Sequence, residues 1–333
     1  MSRTSEARDT LSRAIQGRLF KVSPYMILPS KSGRFSLFLK QDDNLVLYAE
    51  KGERFTEAHK QRLGAMGVEH LYVRTDEQTD YVAYVRDNLL DILENESIPV
   101  RERGRAWNDA TQALAREVFD RGLPKPLNGV RFQKIRSLIK SSLRFLARED
   151  ALREIARFIS EGREIYHHGI GVMVFTTSML GTFVKDDADL MVAAGMGAML
   201  HDIGKLELPR HLFSRPLDEL SPEDQAQVRS HPALGVGVCS ALPLPQQTLQ
   251  CILFHHERED GSGYPSGAQG ELMPAYVKVL ALCNEYDNLT RGTEYRKPFT
   301  PFEALTHIKA RRNQFDLDML KRLIVVLSKA DLA

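Results

Sequence analysis

The chain has 333 residues, roughly two ordinary domains, so each part can bury a core of its own and small scaffolds stapled by disulfides or structural metals are excluded. Hydrophobic residues at 43% and charged residues at 27% exclude a disordered chain, and 45 Lys+Arg against 44 Asp+Glu leave a formal charge of +1, with no basic field to point to nucleic acid or an anionic membrane. The longest apolar stretches, such as residues 190–200, fall short of the ~20 residues that cross a bilayer, so no membrane span is expected.

Residues 1–22 mix charges of both signs, offer no apolar run suited to a secretory signal, and read as a solvated tail with a frayed helix. Over residues 23 to about 75, near period-2 runs at 35–39 and 44–48, separated by Gln41-Asp42-Asp43, predict a small β-containing unit. A helix is predicted over 56–66, ended by Gly67, and a strand over 70–73. From Thr79 to Leu146 apolar positions three and four apart, as in Tyr81, Val85 and Leu89, predict helices. Long helical periods continue beyond residue 150, broken by Pro- and Gly-rich loops at 204–222 and 258–274. The expected fold class is α+β overall and mostly α: a tail (1–22), a variable N-terminal domain made of a small β unit then helices (23–146), and an all-helical C-terminal domain (147–333). Cys239, Cys251 and Cys283 are an odd number with no metal spacing, which fits buried thiols in a reducing cytoplasm.

Seven of the ten histidines lie between residues 167 and 256, and neutral imidazole is the commonest metal ligand. His201-Asp202 closes an apolar stretch that reads as a buried helix; alone, the pair is equally at home as a core histidine beside a capping aspartate. Its partners favour chemistry. Glu164 and His168 share one helix face at i,i+4, which prefers His168 over its neighbour His167. His231 precedes Pro232, and His255-His256 follow an apolar run. Five imidazoles and two carboxylates without thiolates suit iron or manganese better than a Cys-rich zinc site. Lys205, just after the His-Asp pair, suits a phosphate, and the loop Asp260-Gly261-Ser262-Gly263-Tyr264-Pro265 can bring backbone close to a ligand, although composition alone favours an ordinary turn there.

The chain from about Ala151 onward resembles the HD-GYP phosphodiesterases, a branch of the HD metal-dependent phosphohydrolases. The resemblance rests on His168, on Leu200-His201-Asp202-Ile203-Gly204-Lys205, on Ser230-His231-Pro232, on His255-His256-Glu257 through Gly263-Tyr264-Pro265, and on Tyr295-Arg296-Lys297. It implies an all-helical HD-type domain that holds two or three metal ions, iron or manganese, and hydrolyses cyclic di-GMP to pGpG or onward to GMP. The ligands it implies are Glu164, His168, His201, Asp202, His231, His255 and His256, with Lys205 on the scissile phosphate and Gly263, Tyr264 and Pro265 shaping the substrate loop. Asp287, Arg291 and Arg296 are further expected substrate contacts.

Two positions depart from the family. Asn284 stands where a metal-binding aspartate is usual; its amide oxygen can still serve as a ligand but brings no charge, and Glu285 or Asp287 are candidates to compensate. Thr293 replaces a nucleotide-binding arginine, a gap that Arg291 or Arg296 could fill. The expected mechanism is metal-assisted phosphodiester hydrolysis, with His201, Asp202 and Lys205 as the catalytic group and Asp202 bridging two cations. A degenerate receptor that binds cyclic di-GMP and signals through a protein partner is the alternative. A homodimer and protein partners in signalling are further expectations, and nucleic acid is not an expected partner.

Overall fold

The computed structural model describes residues 19–41, 44–119, 129–159, 165–184 and 186–332. It is mostly α with one small antiparallel sheet, and it divides into two compact units, Met1–Ala110 and Thr111–Ala333.

The first unit contains β1 (Leu19–Val22), β2 (Leu37–Gln41), β3 (Asn44–Ala49) and β4 (Leu71–Arg74) in the order β1-β4-β2-β3, every pairing antiparallel. Alternation decides which face is buried: Leu37 and Leu39 on β2, and Leu71 and Val73 on β4, point into the core. Helix α1 (Glu57–Ala65) starts at Thr56, whose side chain accepts from the His59 amide, and the chain turns away at Gly67. Helices α2 (Gln78–Asp87) and α3 (Leu89–Glu94) follow, and α4 (Val100–Phe119) runs through the division between the units. The strands and helix predicted over 35–73 are therefore present within a residue or two. Strand β1 corrects the reading of 1–22 as tail throughout: Leu19 pairs with Arg74 and Val22 with Leu71. Residues 1–18, read as a frayed helix, lie outside the described residues.

The second unit is helical, and among its described residues the bridge between Asp260 and Gln269 is the β pairing present. It contains α5 (Gly129–Leu146), α6 (Glu149–Ile159), α7 (Ile165–Leu180), α8 (Ala188–Leu200), α9 (Pro222–Arg229), α10 (His231–Cys239), α11 (Gln246–Phe254), α12 (Ala275–Thr290), α13 (Pro301–Ala310) and α14 (Leu317–Lys329). Helices α7 and α8 are apolar on nearly every side and form the centre, with α5 and α11 against α8 and α12 against α7. A Cβ on Gly169 would lie 2.6 Å from the Met199 carbonyl oxygen, so α7 approaches α8 as closely as it does because it carries glycine there. The same device operates at Gly204, where a Cβ would collide with the His231 carbonyl; the 3₁₀ turn Ile203–Glu207 thus lies directly on α10. These two approaches bring His168 to His201 and Asp202 to His231.

The compact units divide earlier than the boundary expected at 146/147. Helix α5, with Ile139 lying against Gly195 of α8, packs within the second unit. No described helix is long and apolar enough to cross a membrane, and all three cysteines are free and buried.

Candidate metal centre

Helix ends deliver three of the imidazoles. His201 is the C-cap of α8, His255 is the C-cap of α11, and His231 follows the Ser230 that closes α9 and opens α10. The last carbonyls of a helix have no intrahelical donor, and each of these rings takes one. Nδ1 of His201 donates to Ala198 O at 2.7 Å, Nδ1 of His231 to Val228 O at 2.7 Å, and Nδ1 of His255 to Ile252 O at 2.8 Å. A carbonyl only accepts, so the proton sits on Nδ1 and a neutral ring presents a lone pair at Nε2. His168 lies in the first turn of α7, and its Nδ1 instead meets the carboxylate of Asp287, 2.7 Å from Oδ2. Burial pushes His168 and His231 below the ordinary imidazole value, and His255 and His256 well below it, with neighbouring histidines adding to the fall at the last two.

The lone pairs face one another. Nε2 of His168 is 3.1 Å from Nε2 of His201, and Nε2 of His231 is 3.0 Å from Nε2 of His255. Two acceptors at that distance repel unless a cation joins them. Asp202 stands between the two pairs with one oxygen toward each. Its Oδ1 is 3.3 Å from His231 Nε2 and 3.7 Å from His255 Nε2, while its Oδ2 is 3.5 Å from His201 Nε2 and 3.7 Å from His168 Nε2. Burial works against the charged carboxylate, but the Lys205 ammonium outweighs it and holds Asp202 well below the usual carboxylate range. Lys205 Nζ donates to Oδ2 at 2.6 Å, whereas Oδ1 is buried with no hydrogen-bond partner. A buried charged oxygen left in that way is destabilising by about 1–3 kcal/mol or more, and a cation in front of it removes the penalty.

The donor atoms of Asp202, His231, His255 and His256 lie within 4.8 Å of one another, as do those of His168, His201 and Asp202, so two compartments share one carboxylate. Asn284 Oδ1 joins the second compartment at 2.9 Å from His168 Nε2 and accepts from Asn288 Nδ2 at 2.9 Å. Nitrogen and oxygen donors, converging acceptors and an orphaned carboxylate oxygen are what a pair of borderline divalent cations fits.

A pH dependence follows. On unfolding, the four depressed imidazoles return to about 6.5, so below that value the unfolded chain binds protons that the folded chain refuses. The thermal midpoint of metal-free protein is therefore expected to fall steadily from pH 7.5 to pH 5; a midpoint that is flat or rises over that range contradicts the neutral-imidazole assignment.

Of the expected site residues, the structure brings together His168, His201, Asp202, His231, His255, His256, Asn284 and Lys205. Glu164 lies outside the described residues. His167 packs its ring on Tyr166 at 4.3 Å and belongs to neither compartment. Gly263 lies against the backbone of His256 to Arg258, and Tyr264 stacks on His256 at 4.5 Å and 17° between ring planes, so the expected substrate loop walls the first compartment, followed directly by Pro265.

Three expected substrate contacts are placed otherwise. Asp287 is 3% exposed and its carboxylate is taken by His168 and Arg291. Arg291 turns inward to Asp287 and to the carbonyls of Ile159 and His167. Arg296 donates to the Leu289 and Asn288 carbonyls and lies over Phe299 at 5.0 Å. Glu285 does not compensate for Asn284 either, since Arg258 and Arg311 hold it.

Two residues escaped the sequence reading. Glu257 is fully buried and organises the 261–268 loop by accepting from the Ser266 amide and hydroxyl, each at 2.7 Å, and from the Ala268 amide at 3.1 Å. Nothing in the charged run 257–260 distinguishes it from a solvated face. Exposed Arg229 lies over Tyr264 at 5.6 Å, and its place two residues before His231 was the available signal.

Residues 173–319 match the family described as the HD domain. The chain is 27% identical over 180 residues to the cyclic di-GMP phosphodiesterase PA4108 of Pseudomonas aeruginosa, covering 54% of this chain and 43% of that one. It is 32% identical over 121 residues to the cyclic di-GMP phosphodiesterase response regulator RpfG of Xanthomonas campestris pv. campestris, covering 36% of this chain and 32% of that one. The chain thus spans less than half the length of these relatives. The solved structure of Bd1817, an HDG"Y"P protein from Bdellovibrio bacteriovorus, matches 93% of this chain and 99% of its own with a TM-score of 0.65 at 22% identity, which shows a shared fold.

Proposed function

We propose that this chain, whose residues 173–319 match the HD domain family, is a metal-dependent phosphodiesterase of the HD-GYP type that hydrolyses cyclic di-GMP to pGpG, or onward to GMP. The observation that carries this reading is the pair of facing imidazole nitrogens on each oxygen of Asp202. His231, His255 and His256 would hold one cation and His168, His201 and Asn284 the other, with Asp202 common to both; iron or manganese suits these donors. When bound, such cations lower the pKa of water toward neutrality and neutralise phosphate charge.

The chain's own groups do the rest. Asp202 keeps the two compartments in fixed relation and orients Lys205, whose side chain remains 23% exposed and so reaches a phosphate oxygen without leaving its carboxylate. Tyr264, stacked on His256, offers an aromatic wall, and Arg229 adds a cation above it for a ligand with two phosphates. Hydrolysis breaks one P–O3′ bond, adds the elements of water and releases a proton from the new phosphomonoester.

The test is turnover by protein loaded with manganese, or anaerobically with iron, on a panel of cyclic dinucleotides, with products separated by chromatography. Linear pGpG or GMP from cyclic di-GMP is expected, and turnover of a different cyclic dinucleotide alone overturns the substrate assignment. Asn284 and Thr293 favour a second reading, a receptor that binds without cleaving: the first brings a neutral amide where a carboxylate would strengthen the site, and the Thr293 hydroxyl is buried without a hydrogen-bond partner. Metal-loaded protein that binds cyclic di-GMP tightly and releases no product selects that reading.

A further inference from the structure

We propose that Asp287 and Arg291 form a relay that orients His168, which makes Arg291 a positioning residue for the compartment of His168, His201 and Asn284. The inference rests on the metal-centre reading above and concerns how this chain prepares one half of it.

His201, His231 and His255 each fix their ring against a carbonyl in the last turn of a helix. His168 lies within α7, where the carbonyls are taken by the helix's own amides, so its Nδ1 proton goes to a side-chain acceptor. Asp287 supplies it from α12 at 2.7 Å. The carboxylate is in turn held at both oxygens by the guanidinium of Arg291, with Nε donating to Oδ2 at 2.9 Å and Nη2 lying 3.1 Å from Oδ1. Arg291 Nη2 also donates to the Ile159 carbonyl at 2.8 Å and the His167 carbonyl at 3.2 Å, which ties the fork to the end of α6 and the first turn of α7. Asn284 and Asp287 fall at i and i+3 on α12 and Arg291 is the C-cap that closes it, so one strip of the helix and its end carry a ligand, an orienter and the holder of that orienter.

A second observation is independent of these hydrogen bonds. A Cβ on Gly171 would collide with Asp287 Oδ1, so α7 leaves out a side chain one turn beyond His168 where the carboxylate needs room. The relay has an electrostatic use as well. Asn284 brings no charge to this compartment, and the buried Asp287 places a carboxylate behind the ring of His168, which raises the basicity of the Nε2 that faces the cation. A fork fixed at both oxygens holds the carboxylate in plane with the imidazole, a task for which a lysine ammonium is a poor substitute.

The test titrates metal-free full-length protein with manganese(II), reading free manganese by electron paramagnetic resonance, and repeats it anaerobically with iron(II). Wild-type protein is expected to bind two equivalents. In Arg291→Met and in Gly171→Ala one equivalent weakens by about 10–100-fold while the other keeps its wild-type affinity; Arg291→Lys falls between. The equivalent that persists shows that the fold is intact, which a general structural role would not predict. Variants that bind both equivalents as wild type does, that lose both together, or that all fail to fold overturn the relay. Wild-type protein that takes up neither metal overturns the metal-centre reading itself, and the relay with it.

Discussion

Asp202→Asn is expected to lower turnover of cyclic di-GMP by at least about a thousandfold and to reduce bound metal from two equivalents to one or none. The reason is geometric. Each carboxylate oxygen faces a different pair of imidazole nitrogens, Oδ1 toward His231 and His255 and Oδ2 toward His201 and His168. Asparagine keeps the shape but offers one acceptor and one donor, so an NH2 group would face a compartment built to receive a cation. It also removes the charge that holds Lys205 Nζ at 2.6 Å. Steady-state rates combined with elemental analysis check both parts. A variant with wild-type metal content and turnover within tenfold of wild type would contradict the bridging role.

Saturating metal is expected to raise the thermal midpoint of the metal-free protein by on the order of 10 °C, because a ligand present at a thousand times its dissociation constant adds about 4 kcal/mol and a unit of this size shifts by roughly 2–4 °C per kcal/mol. Metal-free protein holds four buried imidazoles whose Nε2 atoms are opposed in pairs at 3.0 and 3.1 Å, and one buried carboxylate oxygen with no hydrogen-bond partner. A cation in each compartment relieves both. Calorimetry in chelator and in excess manganese reads the shift, and the His231→Ala, His255→Ala double variant should lose much of it. A midpoint that does not respond to metal would show that these contacts are tolerated without it.

How much of this was legible in the sequence depended on whether local order or long-range packing decided the outcome. His201-Asp202, His231 and His255-His256 each adjoin a helix end, and their order along the chain is itself the signature of a shared site. Strand β1 was not legible, because four residues carry too little periodicity and only pairing with β4 makes Leu19–Val22 a strand. Helix α5 was assigned to the first domain on continuity of pattern, whereas its place is set by Ile139 against Gly195, a contact that spacing cannot reveal. Asp287 and Arg291 were read as substrate contacts by resemblance. In the structure they face inward because His168 needs an acceptor for its Nδ1 proton and α12 presents one on the same strip as Asn284. Glu257 looked like part of a solvated charge run, and its burial follows from backbone amides nine and eleven residues onward folding back over it.

The most direct measurement is anomalous diffraction from crystals of anaerobically purified protein, collected on both sides of the iron and manganese absorption edges. Two peaks beside Asp202 are expected, one against His231, His255 and His256 and one against His168, His201 and Asn284. Crystals grown with saturating metal that show no peak at Asp202, or peaks bound elsewhere with these imidazoles unligated, would contradict the account.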